Sequence, residues 1–180
     1  MKYLKYLLTI VVISFAVVLT GCSSNESFYQ KWTDAGVDFK EENCFDDITL
    51  DAAKEKINNK EKFVLVIAAP EYSSNVTDMQ TIYNTSVYLD FEGKVQVLDV
   101  TDYMSTTAKR NSVKESLNIN SITTVSSGVI FVVYNDNGSV ILDTSDTSVK
   151  GKANYEAYAA EDGSINVEKF ASYLFVDFKF

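Results

Sequence analysis

FVLVIAAPEYSSN, residues 63–75, is a run of seven apolar residues that breaks at a proline and passes into a polar, turn-prone segment. Lys60-Glu61-Lys62 bounds the run on one side and Pro70 on the other. Its length and its β-branched content predict a central strand covered on both faces rather than a buried helix. The residues that follow change period. In VTDMQTIYNTSVYLDFEG, Val76, Met79, Tyr83 and Val87 fall on one stripe with Ile82 and Ser86 beside it, which predicts an amphipathic helix stopping at Gly93. VQVLDV, Val95 to Val100, is strand-like again. A strand, a helix and a strand in that order predict a parallel crossover unit.

Working outward from this unit, LDAAKEKINN places Leu50, Ala53 and Ile57 on one helical face, with Asp51 at the positive end and Asn58-Asn59 as a stop. The preceding segment, Phe28 to Asn43, carries Phe28, Tyr29, Trp32 and Phe39 and fits either a short helix or a strapped-down lead. On the other side, Thr107 to Leu117 predicts a helix whose apolar points are Ala108, Val113 and Leu117. After the polar loop NINSITTVSS comes the strand GVIFVVY, Gly128 to Tyr134, and Asn135-Asp136-Asn137-Gly138 predicts a hairpin returning through SVILD. A polar, acidic connection from Thr144 to Gly163 leads to a last helix from about Asn166 to Phe175, with Val167, Phe170 and Leu174 facing one way. No repeat and no linker to a second domain interrupts this order, which belongs to the α/β class.

The chain opens MKYLKYLLTIVVISFAVVLTGC, two lysines followed by an apolar stretch from Leu7 to Leu19 broken only by Thr9 and Ser14. That composition is a secretory signal, too short and wrongly flanked for an ordinary membrane helix. Its end, Leu19-Thr20-Gly21-Cys22, resembles the lipobox of bacterial lipoproteins, which implies a signal peptide over residues 1–21 and lipid on Cys22. The implied location is the extracytoplasmic face of a bacterial membrane, with residues 22–44 as tether and lead segment and residues 45–180 as the folded domain. Ser23-Ser24-Asn25-Glu26 reads as the polar tether. Cleavage before Cys22 leaves 159 of the 180 residues, one ordinary domain. Without Lys2 and Lys5, 14 basic residues face 25 acidic ones, a net charge of −11. Such a surface repels phosphate backbones and anionic headgroups, so no nucleic-acid partner is expected, and membrane attachment falls to the lipid.

The element order resembles the thioredoxin fold, a mixed sheet of about five strands flanked by helices, and FVLVIAAPEYSSN resembles that family's apolar strand running into Ala-Pro-aromatic-Cys-x-x-Cys. Aligning Ala69-Pro70 with the family dipeptide puts the two redox positions at Tyr72 and Asn75. The segment facing them, where the family carries Ile-Pro-Thr, is here Ile122-Thr123-Thr124, and residues 125–128 read as an insertion relative to the family. With Pro70 the only proline, a trans peptide is expected before Thr123, since a non-proline cis bond costs roughly 3 kcal/mol. Among thioredoxin-like groups, the bacteriocin transport accessory proteins are similar in layout, with a short leading helix ahead of the apolar strand. Serine, tyrosine and asparagine cannot stand in for a dithiol, because exchange needs a thiolate to attack and a second thiol to resolve. The chain also contains no histidine to act as a base. The resemblance therefore implies a redox-inactive frame whose loop edge, Glu71, Tyr72, Ser73, Ser74, Asn75, Thr123 and Thr124 with Asp99 at a strand end, binds a protein or peptide.

Other chemistry finds little support. No cofactor is expected, since the sequence holds no phosphate-binding glycine loop, dinucleotide fingerprint or Gly-x-Ser-x-Gly. No metal is expected either: with one cysteine beyond Cys22 a transition-metal cluster cannot be assembled. EDGSINVEKF, from Glu161, is similar to the end of a calcium loop, but that register puts Lys169 where the bidentate glutamate belongs, and a Gly turn feeding a capped helix explains it better. The pairs Glu41-Glu42 and Asp46-Asp47 read as solvated charge. Asp99, with Asp102 nearby, ends a strand at the edge where open α/β sheets bind ligands. Tyr155, Tyr158, Tyr173, Phe175, Phe178 and Phe180 predict core padding before they predict a recognition surface. Two further classes stay open: an oxidoreductase in which Cys44 works with a partner's thiol, and a small-molecule-binding or immunity-type lipoprotein on the same frame. Against the first, ENCFDD surrounds Cys44 with acidic residues that oppose thiolate formation.

Overall fold

The computed structural model describes residues 27–40, 43–135, 138–145, 150 and 155–177. The expected signal segment, Cys22, Glu41, Glu42, Phe178 and Phe180 lie outside the described residues. In chain order the described part runs α1 (Phe28–Asp34), β1 (Phe45–Asp47), α2 (Leu50–Asn58), β2 (Phe63–Ala68), α3 (Ser73–Tyr88), β3 (Val95–Asp99), α4 (Thr107–Leu117), β4 (Ile130–Asn135), β5 (Gly138–Asp143) and α5 (Val167–Asp177). Short 3₁₀ turns occupy Thr101–Tyr103, Thr123–Ser126 and Tyr155–Ala157. No helix among these residues is long and apolar enough to cross a membrane.

The strands form one mixed sheet in the order β1-β3-β2-β4-β5. β3 pairs in parallel with β1 and β2, whereas β4 runs antiparallel to both β2 and β5. Where the sequence predicts about five strands, four are full-length, at five or six residues each, and the remaining one, β1, is a three-residue edge piece. β2 is the central strand that its unbroken apolar run predicts: all six residues are buried. One face of the sheet presents Val64, Val66, Val97 and Phe131 to α1, α3 and α5, through Trp32, Met79, Ile82 and Phe170. The opposite face presents Leu65, Ile67, Leu98 and Val132 to α2 and α4, through Ala53, Val113 and Leu117. Because side chains alternate along a strand, each strand feeds both layers in turn.

Two sequence expectations need correction. α3 begins at Ser73 and ends at Tyr88, well short of Gly93. Its stop is Asp90, which takes the left-handed conformation (φ 51°) and lets the N–H of Phe91 return to the Ser86 carbonyl at 2.9 Å. Gly93 serves packing instead, since a Cβ there would run into the Phe91 ring. The lead segment, expected to precede the domain, is part of it: Trp32 is fully buried, and Val37 and Phe39 join the same cluster. Ser27 caps α1 by accepting from the Gln30 N–H, and Phe28 packs its ring 6.2 Å from both Trp32 and Phe39.

Of the late aromatics that are described, Tyr158 lies in the core and Tyr155, Tyr173 and Phe175 pack partly buried against it. Tyr158 is fully buried, with its ring 5.4 Å from that of Phe170, and Phe170 meets Phe131 edge-on at 4.6 Å. The segment from Glu161 is a turn and a cap. Asp162 accepts from the backbone and hydroxyl of Ser164, Gly163 takes φ +86°, and Asn166 Oδ1 accepts from the Lys169 N–H at the start of α5.

Candidate functional site

The carboxyl ends of β1, β2 and β3 come out on one edge of the sheet, and α3 starts there. Ala69, Pro70 and Glu71 carry the chain across a turn closed by the Tyr72 N–H on the Ala69 carbonyl at 3.1 Å. The Tyr72 carbonyl then receives the first helical bonds, from Asn75 at 3.0 Å and Val76 at 3.2 Å. No side chain caps this helix start and no acidic residue occupies its first turn, so the positive end of a 16-residue helix faces the edge uncovered. Glu71 and Ser73 are exposed, Ser74 is half-buried, and Tyr72 lays its ring partly against the α2 and α4 layer. Burial, reinforced by the Glu71 carboxylate, pushes the Tyr72 phenol above its ordinary value, with Arg110 acting the other way, so it remains a neutral hydroxyl.

Asn75 does not belong to the accessible edge, and its place in the candidate binding set is corrected here. It is fully buried. Its Oδ1 accepts from the Ala69 N–H at 2.9 Å, and its Nδ2 donates to the Val125 carbonyl at 2.6 Å. One amide therefore closes a donor at the end of β2 and an acceptor in the 123–126 turn, groups that burial would otherwise leave unpaired. That staple holds Thr123 and Thr124 beside the 71–74 loop. Thr123 is exposed and its hydroxyl lies 2.8 Å from that of Ser121, while the Thr124 hydroxyl donates to the Asp143 carboxylate. No peptide among the described residues is cis, so the Ile122–Thr123 bond is trans.

Asp78, one turn along α3, was not singled out by sequence. Its Oδ2 accepts from the Val129 N–H at 3.1 Å and from the Thr144 hydroxyl at 2.7 Å, tying the helix to the start of β4 and the end of β5. Burial raises its carboxyl above the usual range, and Asp143 adds to the effect, although the two hydrogen bonds oppose it. Gly128 gives this junction its room, since a Cβ there would collide with the Thr144 hydroxyl.

Asp99 is the second correction. It pairs in register with Ala68, yet its side chain turns to the α1 side of the sheet, away from Tyr72, and is only 15% exposed. There it binds the Lys31 ammonium and accepts from the Thr101 N–H at 2.8 Å. The hydrogen bond to Asp99 raises the Lys31 pKa against partial burial. Asp47 lies close by, its own carboxyl raised by burial and then by the Asp99 charge. Asp99 is thus engaged in fastening α1 and is not free to meet a ligand.

Cys44 sits at the far end of the sheet. Its carbonyl accepts from the N–H of Val95, where β3 begins, whereas Tyr72 follows the end of β2. The residue is only 6% exposed, and burial raises the pKa of its thiol in spite of a hydrogen bond to Ser86. The residues brought together at the edge are therefore Glu71, Tyr72, Ser73, Ser74, Thr123 and Thr124, a set of hydroxyls and one carboxylate around a bare helix start. It can donate to and accept from a backbone. No protein-family model matches the chain, and a comparison with curated proteins finds no significant match.

Proposed function

We propose that this chain is a lipid-anchored, extracytoplasmic protein whose domain is thioredoxin-like and redox-inactive, and that it grips an extended peptide or protein segment at the Glu71–Ser74 and Thr123–Thr124 edge. The observation that carries this reading is the route of β2: a central strand of a β1-β3-β2-β4-β5 mixed sheet delivers Pro70 to the uncapped start of α3. That order, with one parallel half and one antiparallel half, agrees with the thioredoxin resemblance. The 3₁₀ turn at Thr123 stands opposite the helix start, tied to it through Asn75. Peptide carbonyls suit the free N–H groups of the first helical turn, and hydroxyls supply hydrogen bonds without reacting.

Two measurements test the proposal. The purified mature protein shows no turnover in an insulin disulfide reduction assay; sustained turnover overturns the inactive-scaffold reading. A photo-crosslinking residue placed at Ser73 or Thr123 in the membrane-anchored protein captures a partner that the same residue at Glu115, on the exposed side of α4, does not. Equal capture from all three positions removes the assignment of the edge.

A further inference from the structure

Only three large apolar side chains among the described residues are strongly exposed: Val87 at 55%, Tyr88 at 86% and Val176 at 57%. All three lie at one end of the molecule. Val87 and Tyr88 close α3, which starts at the candidate binding edge and finishes at the opposite one. Val176 is in the last turn of α5, and its neighbour Phe175 stacks at 4.4 Å on Phe91, just past the end of α3. The chain enters the domain at this same end. Phe28, in the first turn of α1, packs its ring 6.4 Å from Phe45, which pairs with Val95 at the beginning of β3. Phe39 links that cluster to Tyr83 at 5.2 Å, one turn before Val87.

From these positions we propose that this end of the domain, with Val87, Tyr88 and Val176 foremost, rests on the phospholipid bilayer that holds the lipid of Cys22. The inference depends on the lipoprotein reading above. Five residue steps separate Cys22 from Ser27, and a fully extended chain covers at most roughly 18 Å over that distance. The start of α1 cannot stand farther than that from the interface, and the exposed apolar side chains share its end. Tyrosine and short aliphatic side chains suit the headgroup boundary, where an aromatic ring buries its body and keeps its hydroxyl wet. A groove of about 430 Å³ between Asp38, Lys40, Tyr83, Asn84, Val87 and Tyr88 opens beside them. The local charges nearly offset one another: Lys40 and Lys94 are balanced by Asp38, Asp90 and Glu92. The contact is therefore apolar and not a basic patch on anionic lipid. It supplements the anchor, and it points the edge at Glu71–Ser74 away from the membrane.

The test uses the lipidated protein reconstituted in vesicles of phosphatidylcholine and phosphatidylglycerol carrying a headgroup nitroxide. With Cys44→Ser in the background, a fluorophore is attached through Tyr88→Cys or, as a control, Thr123→Cys. The expected result is several-fold stronger nitroxide quenching at position 88 than at 123, falling toward the control value when Val87→Glu and Val176→Glu are added. Equal quenching at the two positions overturns the docking surface. Hydrogen exchange on the unsubstituted protein gives the same decision should the labelled variants fold poorly. Slower exchange over residues 86–92 on vesicles than in detergent, with residues 71–74 unchanged, supports the proposal, and no difference at either segment overturns it. Metabolic incorporation of a clickable fatty acid, lost in Cys22→Ala, separates the underlying reading. Its absence from the wild-type chain removes the anchor and the docking surface together, whereas incorporation with equal quenching removes the docking surface alone.

Discussion

A single amide, that of Asn75, satisfies two buried backbone groups that belong to different parts of the chain. Asn75→Ala leaves both unpaired and is expected to destabilise the protein by about 2–6 kcal/mol, given roughly 1–3 kcal/mol for each of the two orphaned groups, read as a lowered urea midpoint with an unchanged slope. Asp78 makes a different demand, because its carboxyl is raised by burial. A group that holds its proton more tightly in the folded than in the unfolded chain favours folding at low pH. That contribution is full below the ordinary aspartate value near 3.9 and is lost as pH rises through the folded pKa. Asp78→Asn keeps an oxygen for Val129 and Thr144, so relative to wild type it gains stability as pH rises through this window, as urea midpoints across the acid range will show. Asp78→Ala instead loses stability at every pH. Neither role was legible in the sequence, because the partners lie 50 and 51 residues away. Asp78 does stand three residues after Asn75 on the same helix, and that spacing was the only available hint.

Elements were read best where one physical signal dominates. β2 is buried on both faces and so is apolar throughout, and α4 was legible over its whole length, Thr107–Leu117. α3 was misplaced at both ends for opposite reasons. Its start lacks a side-chain cap, and its stop is an aspartate in a conformation usually left to glycine. α1 is ambiguous in sequence because seven residues cannot sustain a helix alone; its stability comes from Trp32, wholly buried under it. Trp32→Ala should therefore cost about 3–5 kcal/mol and speed amide exchange through α1. The Lys31–Asp99 pair is weaker. Lys31 is 42% exposed, so a double-mutant cycle with Lys31→Met and Asp99→Asn is expected to return a coupling of no more than about 1 kcal/mol.

For the whole molecule, the α/β class followed from the alternation of elements, since a strand, a helix and a strand joined by short connections have few other ways to bury their apolar faces. The candidate edge was legible only in part. Local sequence named the 71–74 loop and the Thr123 turn, but whether Asn75 and Asp99 face outward depends on neighbours supplied by Val125 and Lys31. Cys44 offers a check on the whole fold. Being 6% exposed with a raised pKa, it should resist a thiol reagent in the native protein and react at a rate that follows global unfolding as urea is added. Rapid labelling in the absence of urea would contradict the packing of the lead segment and β1 over it. At the corner itself, the carboxamide of Asn75 joins the end of β2 to the facing turn, and neither peroxide nor glutathione alters a carboxamide. The tie between β2 and the Thr123 turn is therefore expected to hold in oxidising and reducing surroundings alike.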